Sequence, residues 1–479
     1  MAMSKGNGLP VPDDIIYKIL LSSPLYSSLK ATLLTCKQFY RVFQSHPNSV
    51  VRAVAYNITG PALPQALECI RHPFVPVHPR SLLRVSLSDP GDLETLISAP
   101  ITPPETHQIV ANSKIVKRLE DMFSFRYIDR TISTSQLSSS ESRAFCIAVY
   151  RLMLYGAIAD LGAWIHQESD PELRGDLITL SDNREDTEKG NKMFYCFSTP
   201  ELLRLHSVTV FLKEILCFCA RIYGYADEIY DLATVAGPAR ILNGFGNQDR
   251  DGLQLLDDIS YFFRLEDPET LASLSSSPLL RILDLRNVEP PSGFAHWLSV
   301  SSRASERNSQ CDRCQETLDF GAHSRSTFTE ISNGECYRLH ITYQHKYGPQ
   351  HIHQYLKGNL RFSSFEISAF IDENKEFGAT FLLQMWNDLW RLDLVQQQPK
   401  DQRFPHTLPD WTEDSYLCDV CFTHFLSENL WLWWRHIKSS SKTLKQDCCY
   451  GFNCELQVKS ALHAEDFNHL CEQTQVDNL

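Results

Sequence analysis

The segment Cys448-Cys449-Tyr450-Gly451-Phe452-Asn453-Cys454, followed eight residues later by His463-Ala464-Glu465-Asp466-Phe467-Asn468-His469, decides how the end of this chain folds. Its spacing, C-x5-C-x8-H-x5-H, supplies two thiolates and two imidazoles, which is a complete tetrahedral ligand set for Zn²⁺. Gly451 allows the tight turn that brings the first pair together. We therefore predict a structural zinc ion and name its ligands as Cys448, Cys454, His463 and His469.

Two Cys-x-x-Cys pairs lie upstream, Cys311-Asp312-Arg313-Cys314 and Cys418-Asp419-Val420-Cys421. Two residues between the thiols let both sulfurs converge on one metal ion, so Cys311, Cys314, Cys418 and Cys421 are predicted zinc ligands. The alternatives are small core residues or a redox dithiol, and a redox dithiol would favour a βαβ setting that this sequence does not show. Four Cys/His ligands leave no open coordination position, which favours a structural site over a metalloenzyme.

The C-terminal segment resembles the poly(ADP-ribose)-binding zinc finger. Cys448 to Cys454 matches its Cys-x-Tyr-Gly-x-x-Cys opening, and His463 and His469 match its His-x5-His. This chain departs from that family in a Cys-to-His spacing two residues longer, and in Glu455-Leu456 where Tyr-Arg is expected. The resemblance therefore implies the finger fold, while the polyanion contacts are replaced.

The N-terminal 40 residues are dense in apolar positions. Pro12 with Asp13 and Asp14 indicates a helix start, and further short helices are expected near Pro24 and after Cys36. So small a bundle cannot bury all of these side chains within itself, so some should face a partner or the next domain.

This region resembles the F-box, the helical module that binds a substrate receptor to the adaptor of a cullin-type ubiquitin ligase. The resemblance rests on Val11-Pro12-Asp13-Asp14-Ile15-Ile16-Tyr17-Lys18-Ile19-Leu20 and on Leu29-Lys30-Ala31-Thr32-Leu33-Leu34-Thr35-Cys36-Lys37-Gln38-Phe39, with Phe39-Tyr40 where the family often has Trp. The alternative is an amphipathic start to a larger helical domain. The adaptor-binding residues that the resemblance implies are Pro12, Ile15, Ile16, Ile19, Leu20, Leu29 and Leu33.

The middle of the chain has helical periodicity. Helices are predicted over 109–122, from Phe145 to Ala159, after Thr199, near 253–263 and over 278–285, with an exposed polar loop at 167–192. Residues 118–127, Arg-Leu-Glu-Asp-Met-Phe-Ser-Phe-Arg-Tyr, resemble fungal (basidiomycete-type) F-box-like proteins of uncharacterised role.

The composition changes after this helical part. The polar stretch 299–310 predicts a boundary or mobile loop, 336–347 a strand, and the apolar positions of 381–390 a helix. A group of histidines, His340, His345, His351 and His353, has no thiol or carboxylate pair at fixed spacing, which favours surface or core positions over metal binding.

Composition and charge narrow the class of protein. The 479 residues are 43% hydrophobic and 22% charged with a formal net charge of −13, which excludes disorder throughout and makes binding to nucleic acid or anionic lipid unfavourable. There is no secretory layout and no apolar stretch fit to span a bilayer, so an intracellular protein is expected. Its 15 cysteines are then thiolate ligands or buried residues rather than disulfides.

These patterns predict a mainly α chain. It comprises an F-box-like module (9–50), a proline-rich connector (51–104), an α-helical domain (105–298) and a Cys/His-rich zinc-binding α(+β) region (311–472). No G-x-S-x-G, P-loop or H-E-x-x-H motif is present, so a non-catalytic substrate receptor is expected, with a ligase adaptor and a protein target as partners. The alternative is a zinc-stabilised nucleic-acid or poly(ADP-ribose) binding module with structural N-terminal helices.

Overall fold

A computed structural model describes residues 11–71, 97–159, 193–221, 232–246, 278–318, 320, 322–333, 343, 346–374, 380–395 and 411–474. Helices dominate these residues, which confirms the predicted mainly α class with a Cys/His-rich C-terminal region. No helix in this part of the chain has both the length and the apolar character needed to cross a membrane. The chain divides into two compact units, one made of 1–217, 226–243 and 253–305 and the other of 218–225, 244–252 and 306–479.

The first unit begins with four helices: α1 (Asp13–Leu21), α2 (Tyr26–Thr35), α3 (Lys37–Ser45) and α4 (Pro47–Thr59). Helix α1 starts directly after Pro12, and its first-turn acids Asp13 and Asp14 complement the positive end of the helix dipole. Cys36 is extended and separates α2 from α3. One core joins all four helices and comprises Ile16, Leu20, Leu29, Val42, Val50 and Val54.

Residues 51–104, predicted as a connector of short elements, contain most of α4 and helix α5 (Leu63–Arg71). Residues 72–96 lie outside the described part. Helix α6 (Pro103–Tyr127) begins with a capping box formed by Thr102 and Glu105. Arg71 Nε donates to Glu105 Oε1 at 2.6 Å, which ties α5 to the start of α6.

Three more of the predicted helices are present, α7 (Ser139–Ala159), α8 (Thr199–Arg221) and α10 (Pro278–Leu285). Helix α9 (Leu232–Gly246) is a further one, and the ends of α8 and α9 belong to the second unit. Ser198 precedes α8, and its backbone N–H and its hydroxyl both donate to the Glu201 side chain in the first turn. The predicted loop 167–192 and helix 253–263 lie outside the described residues. An aromatic cluster fills the core between α6, α7 and α8 and comprises Phe123, Tyr127, Phe145, Phe211 and Trp297.

The stretch 299–310, predicted as a boundary or a mobile loop, contains the division between the two units, which falls after Ser305. Ser301 is buried and donates its hydroxyl to Glu141 Oε1 at 2.6 Å, and the Ser305 N–H donates to the Tyr127 carbonyl at 2.8 Å. A 3-10 turn follows at Glu306–Ser309. The hydroxyls of Ser299, Ser301 and Ser309 each donate to an acceptor inside the fold.

The second unit contains α11 (Arg325–Ser332), α12 (Pro349–Ile352), α13 (Ser364–Asn374), α14 (Phe381–Arg391) and α15 (Asp419–Ser440). Of the predicted strand 336–347, most positions lie outside the described residues, and Lys346 and Tyr347 are helical. Helices α13, α14 and α15 share a core of large rings, Phe370, Phe381, Trp386, Phe425, Trp433 and Trp434.

Candidate metal centres

The C-terminal ligand set lies in a small module that closes on itself. Strand β1 (Gln446–Asp447) pairs in parallel with β2 (Phe467–Asn468), and the short helices α16 (Leu456–Lys459) and α17 (Ala461–Asp466) lie between them. The Cys448 N–H donates to the Asn468 carbonyl at 2.8 Å, and the Phe452 N–H to the Cys471 carbonyl at 3.0 Å. These bonds bring the thiol-bearing turn beside the residues around His469.

Gly451 makes this closure possible. Its φ is +50°, and a β-carbon built on it would lie 2.1 Å from the Cys471 carbonyl oxygen. Any other residue would therefore meet both backbone strain and a direct clash. The turn role predicted for Gly451 agrees with this geometry.

The four predicted finger ligands come together around one point. The ligating atoms of Cys448, Cys454, His463 and His469 all lie within 4.8 Å of one another. His463 Nε2 is 3.7 Å from Cys448 Sγ and 3.4 Å from Cys454 Sγ. Ligands at the corners of a zinc tetrahedron stand roughly 3.3–3.8 Å apart for zinc–ligand bonds of about 2.0–2.3 Å. The spacing is therefore compatible with Zn²⁺.

His469 gives an independent test of this fit. Its side chain is fully buried, and neither ring nitrogen has a hydrogen-bond partner among the described residues. A buried imidazole without any partner is unfavourable in the absence of a ligand. Burial lowers the pKa of His469 to about 4, so its ring is neutral near pH 7 and has a lone pair to offer a metal ion. Binding a metal ion would give the buried His469 ring the partner that it otherwise lacks among the described residues.

The two Cys-x-x-Cys pairs also converge, although 104 residues separate Cys314 from Cys418. The four sulfurs of Cys311, Cys314, Cys418 and Cys421 lie within 4.8 Å of one another, and Cys314 Sγ is 3.5 Å from Cys418 Sγ. Gln315, with a φ of +65°, folds the first pair into a tight turn in which its N–H donates to the Cys311 carbonyl at 3.0 Å. The second pair begins α15, and Cys418 precedes its first residue.

Backbone donors favour thiolate at Cys311, whereas burial raises the pKa of Cys418 to about 11 and also raises the pKa of Cys421. The Cys418 N–H donates to Cys311 Sγ at 3.3 Å. Burial raises the pKa of the Cys311 thiol, but the backbone N–H groups of Cys314, Cys418 and Arg313 together outweigh burial and lower it overall. A sulfur that is already stabilised as thiolate is prepared to bind a cation.

A hydrogen-bonded network beside the second Cys-x-x-Cys pair, Cys418 and Cys421, was not predicted from the sequence. Buried His323 lies 2.7 Å from Asp419 Oδ1 through Nε2, and 2.6 Å from the Tyr343 hydroxyl through Nδ1. The Tyr347 hydroxyl donates to Asp419 at 3.0 Å, and Lys346 pairs with the same carboxylate. Hydrogen bonding to His323 is the largest cause that keeps the pKa of Asp419 well below its usual range. The network thus fixes Asp419, which follows Cys418 and is the first residue of α15. The one hint in the sequence was an acid at the first position of a helix.

No other cysteine or histidine of the described residues belongs to either ligand set. Cys471 is buried, and its thiol donates to the backbone carbonyls of Cys448 and Asn468. Among the described residues, His351 and His353 belong to no group of metal-ligating side chains. His340 and His345 lie outside the described part.

The predicted adaptor-binding residues divide into two groups. Ile16, Leu20 and Leu29 are buried in the core of α1–α4. Ile15 and Ile19 are 41% and 45% exposed, Pro12 is exposed and Leu33 is half-buried. Three more apolar side chains on these helices and their connections are also exposed, Leu25, Leu34 and Tyr40.

Comparison with known proteins relates part of the chain to ubiquitin ligases. No protein-family model and no solved structure matches it. Over 95 residues the chain is 36% identical to the E3 ubiquitin-protein ligase CHFR of Homo sapiens and to that of Pongo abelii, and 35% identical to that of Mus musculus. The matched stretch is 19% of this chain but only 14% of the human and 16% of the Pongo abelii protein.

This similarity corrects one expectation. The absence of a familiar catalytic motif led us to expect a protein that is not an enzyme. The comparison contradicts that prediction, because the relatives are all named E3 ubiquitin-protein ligase, and such a ligase is an enzyme. A ligase needs no motif of the hydrolase or kinase type, so the absence of these motifs says nothing about ligase activity. The F-box and fungal resemblances stay predictions.

Proposed function

We propose that this chain acts in ubiquitin ligation, with α1–α3 binding a ligase adaptor and the zinc-stabilised second unit binding a protein target. The observation that carries the proposal is the 95-residue similarity to proteins named as E3 ubiquitin ligases. The exposed apolar residues of α1–α3 and the two metal-ligand sets of the second unit support it.

The adaptor surface would be formed by Pro12, Ile15 and Ile19, with Leu33 at its edge. Ile15 and Ile19 are four residues apart, so they share one face of α1, while Ile16 and Leu20 point into the core. Ile15 and Ile19 are 41% and 45% exposed, so a partner would cover slightly less than the area of one isoleucine. Full burial of one isoleucine is worth roughly 1.5–3 kcal/mol, so this contact would contribute about 1–3 kcal/mol. Such a face suits an apolar helical groove or edge on an adaptor.

Zinc would be structural in this function. Each of the two sites offers four protein ligands, which fills a tetrahedral coordination shell without leaving a place for water or substrate. Through the bound ions, the thiolates and imidazoles of this chain would fix the turns that carry the cysteines and the start of α15. In a ligase the gain in rate comes from proximity, since a bound target raises the effective concentration of its lysine near a ubiquitin-loaded enzyme.

Co-purification with a cullin-ligase adaptor tests the docking part of the proposal. Ile15→Asp/Ile19→Asp should abolish adaptor binding, because a charge at each position must be desolvated in the complex. Leu285→Asp is the matched control, since Leu285 is also an exposed apolar residue at the end of a helix, α10. An adaptor that binds the folded double variant as well as the native chain would refute this assignment.

Ubiquitin transfer tests the ligase part separately. The native chain, mixed with adaptor, cullin, activating enzyme, conjugating enzyme and ubiquitin, should give ubiquitin conjugates that require both the chain and its zinc. Absence of conjugates with every tested conjugating enzyme would contradict the proposed function, even if the adaptor binds. Binding of labelled poly(ADP-ribose) or RNA with a steep salt dependence would favour the alternative function instead.

A further inference from the structure

The finger presents apolar side chains to solvent where its family resemblance places polyanion contacts. Leu456 replaces one of those contact residues and is 50% exposed, and Leu462 is 73% exposed. Helices α16 and α17 each bury a single residue, Gln457 and Ala464, and the rest of their side chains face partly or fully outward. The two-residue insertion between Cys454 and His463 therefore lengthens an exposed, partly aliphatic segment.

Neighbouring elements extend this surface. The 3-10 segment Gly358–Phe362 packs against α16, and α13 packs against α17. Both bring exposed aromatic rings, Phe362 and Phe365. We call the resulting set the finger surface; it comprises Phe362, Phe365, Leu456, Val458, Leu462 and Phe467.

The charge around the finger surface is negative. Residues 446–474 contain five acids and a single Lys or Arg, Lys459, which is 2.5 Å from Glu455. Glu465 and Asp466 are exposed, and no ion pair to either is found in the described part of the chain. A bound zinc ion would add no net positive charge beyond its two thiolates. Three cations lie at the edge of this surface. Arg361 stacks on Phe362, Lys438 lies over Phe365 and is paired with Glu366, and Arg435 is paired with Asp447.

We propose that the finger surface binds a segment of another protein that is rich in aliphatic residues and carries Lys or Arg. The apolar side chains would supply the buried area, and the acids would select a basic partner by charge complementarity. The same acids repel a polyanion, so the finger fold serves protein recognition in this chain. This inference rests on the geometry of the finger and needs neither adaptor docking nor ubiquitin transfer.

Fluorescence anisotropy with defined peptides tests the inference on the full-length, zinc-loaded chain. The probe is a labelled amphipathic helical peptide of about 14 residues, with Leu on one face and Lys on the other. A matched peptide has Glu in place of every Lys. The Leu/Lys peptide should bind, the Leu/Glu peptide should not, and binding should weaken several-fold between about 50 and 300 mM salt.

Two variants localise the binding. Leu456→Asp/Leu462→Asp should weaken Leu/Lys binding by at least about tenfold, while Leu285→Asp should leave it unchanged. Both leucines are largely exposed, so the fold should be kept, and an unchanged zinc content confirms this. Glu465→Lys/Asp466→Lys should weaken the Leu/Lys peptide and strengthen the Leu/Glu peptide.

Three outcomes would overturn the inference. The first is equal binding of both peptides, or binding that the leucine variant leaves unchanged. The second is labelled poly(ADP-ribose) that binds the native chain and displaces the Leu/Lys peptide. The third is a dimer of the native chain that the leucine variant converts to monomer, which would assign the surface to a second copy.

Discussion

Replacing Gly451 with alanine should make the finger lose its zinc to a mild chelator while the Cys₄ site stays loaded. An alanine β-carbon would lie 2.1 Å from the Cys471 carbonyl oxygen, and the position has a φ of +50°. The positive φ costs about 1–2 kcal/mol for a non-glycine residue. Relief of the clash would move Cys471 and lengthen its bond with the Phe452 N–H, which adds about 1 kcal/mol. A total of about 2–3 kcal/mol corresponds to roughly 30- to 150-fold weaker zinc binding, at 1.36 kcal/mol per factor of ten.

Gly293→Ala is the matched control, because Gly293 also has a positive φ, +56°, but no atom lies within 4 Å of a β-carbon built there. Zinc per chain, measured by metal analysis after mild chelation, should be two in the native chain and the control, and one in Gly451→Ala. If Gly451→Ala retains two zinc ions through the same chelator concentrations as the native chain, the closure argument for the finger is wrong.

Three further predictions concern the second ligand set, a buried ion pair and a buried histidine. Cys311→Ser should remove the zinc ion that links the two Cys-x-x-Cys pairs. The finger should keep its zinc, and metal analysis should therefore give one zinc ion per chain. Lys438→Met should destabilise the chain by about 3–5 kcal/mol in urea unfolding, because it leaves the buried Glu366 carboxylate, 2.7 Å from Lys438, without its cation; Lys438→Met/Glu366→Leu should recover most of the loss. Burial lowers the pKa of His206 to about 4 from an unfolded value of about 6.5, so the unfolded state binds more protons between these values. Stability should fall as pH decreases from about 6.5 towards 4, and His206→Gln should flatten that slope in denaturant titrations.

Local spacing predicted the parts of this protein that local geometry controls. The period of apolar residues marked α6, α7, α8 and α14, because the same residues that fill a helix face must recur every three or four positions. The spacing from Cys448 to His469 likewise placed four ligands within reach of one ion, because so short a segment with a glycine turn has few ways to arrange them.

The features that join distant parts of the chain were decided by tertiary structure. The two Cys-x-x-Cys pairs share one site because of the way the intervening helices pack. From its own sequence, each pair is equally consistent with a separate site. His323 meets Asp419 for the same reason, across 96 residues. The sequence by itself therefore determined which side chains can ligate a metal ion and which segments are helical, since these depend on neighbours along the chain. Packing determined that the two Cys-x-x-Cys pairs meet and which isoleucines of α1 stay exposed. Contacts between distant residues follow from the whole set of apolar faces that must be buried together.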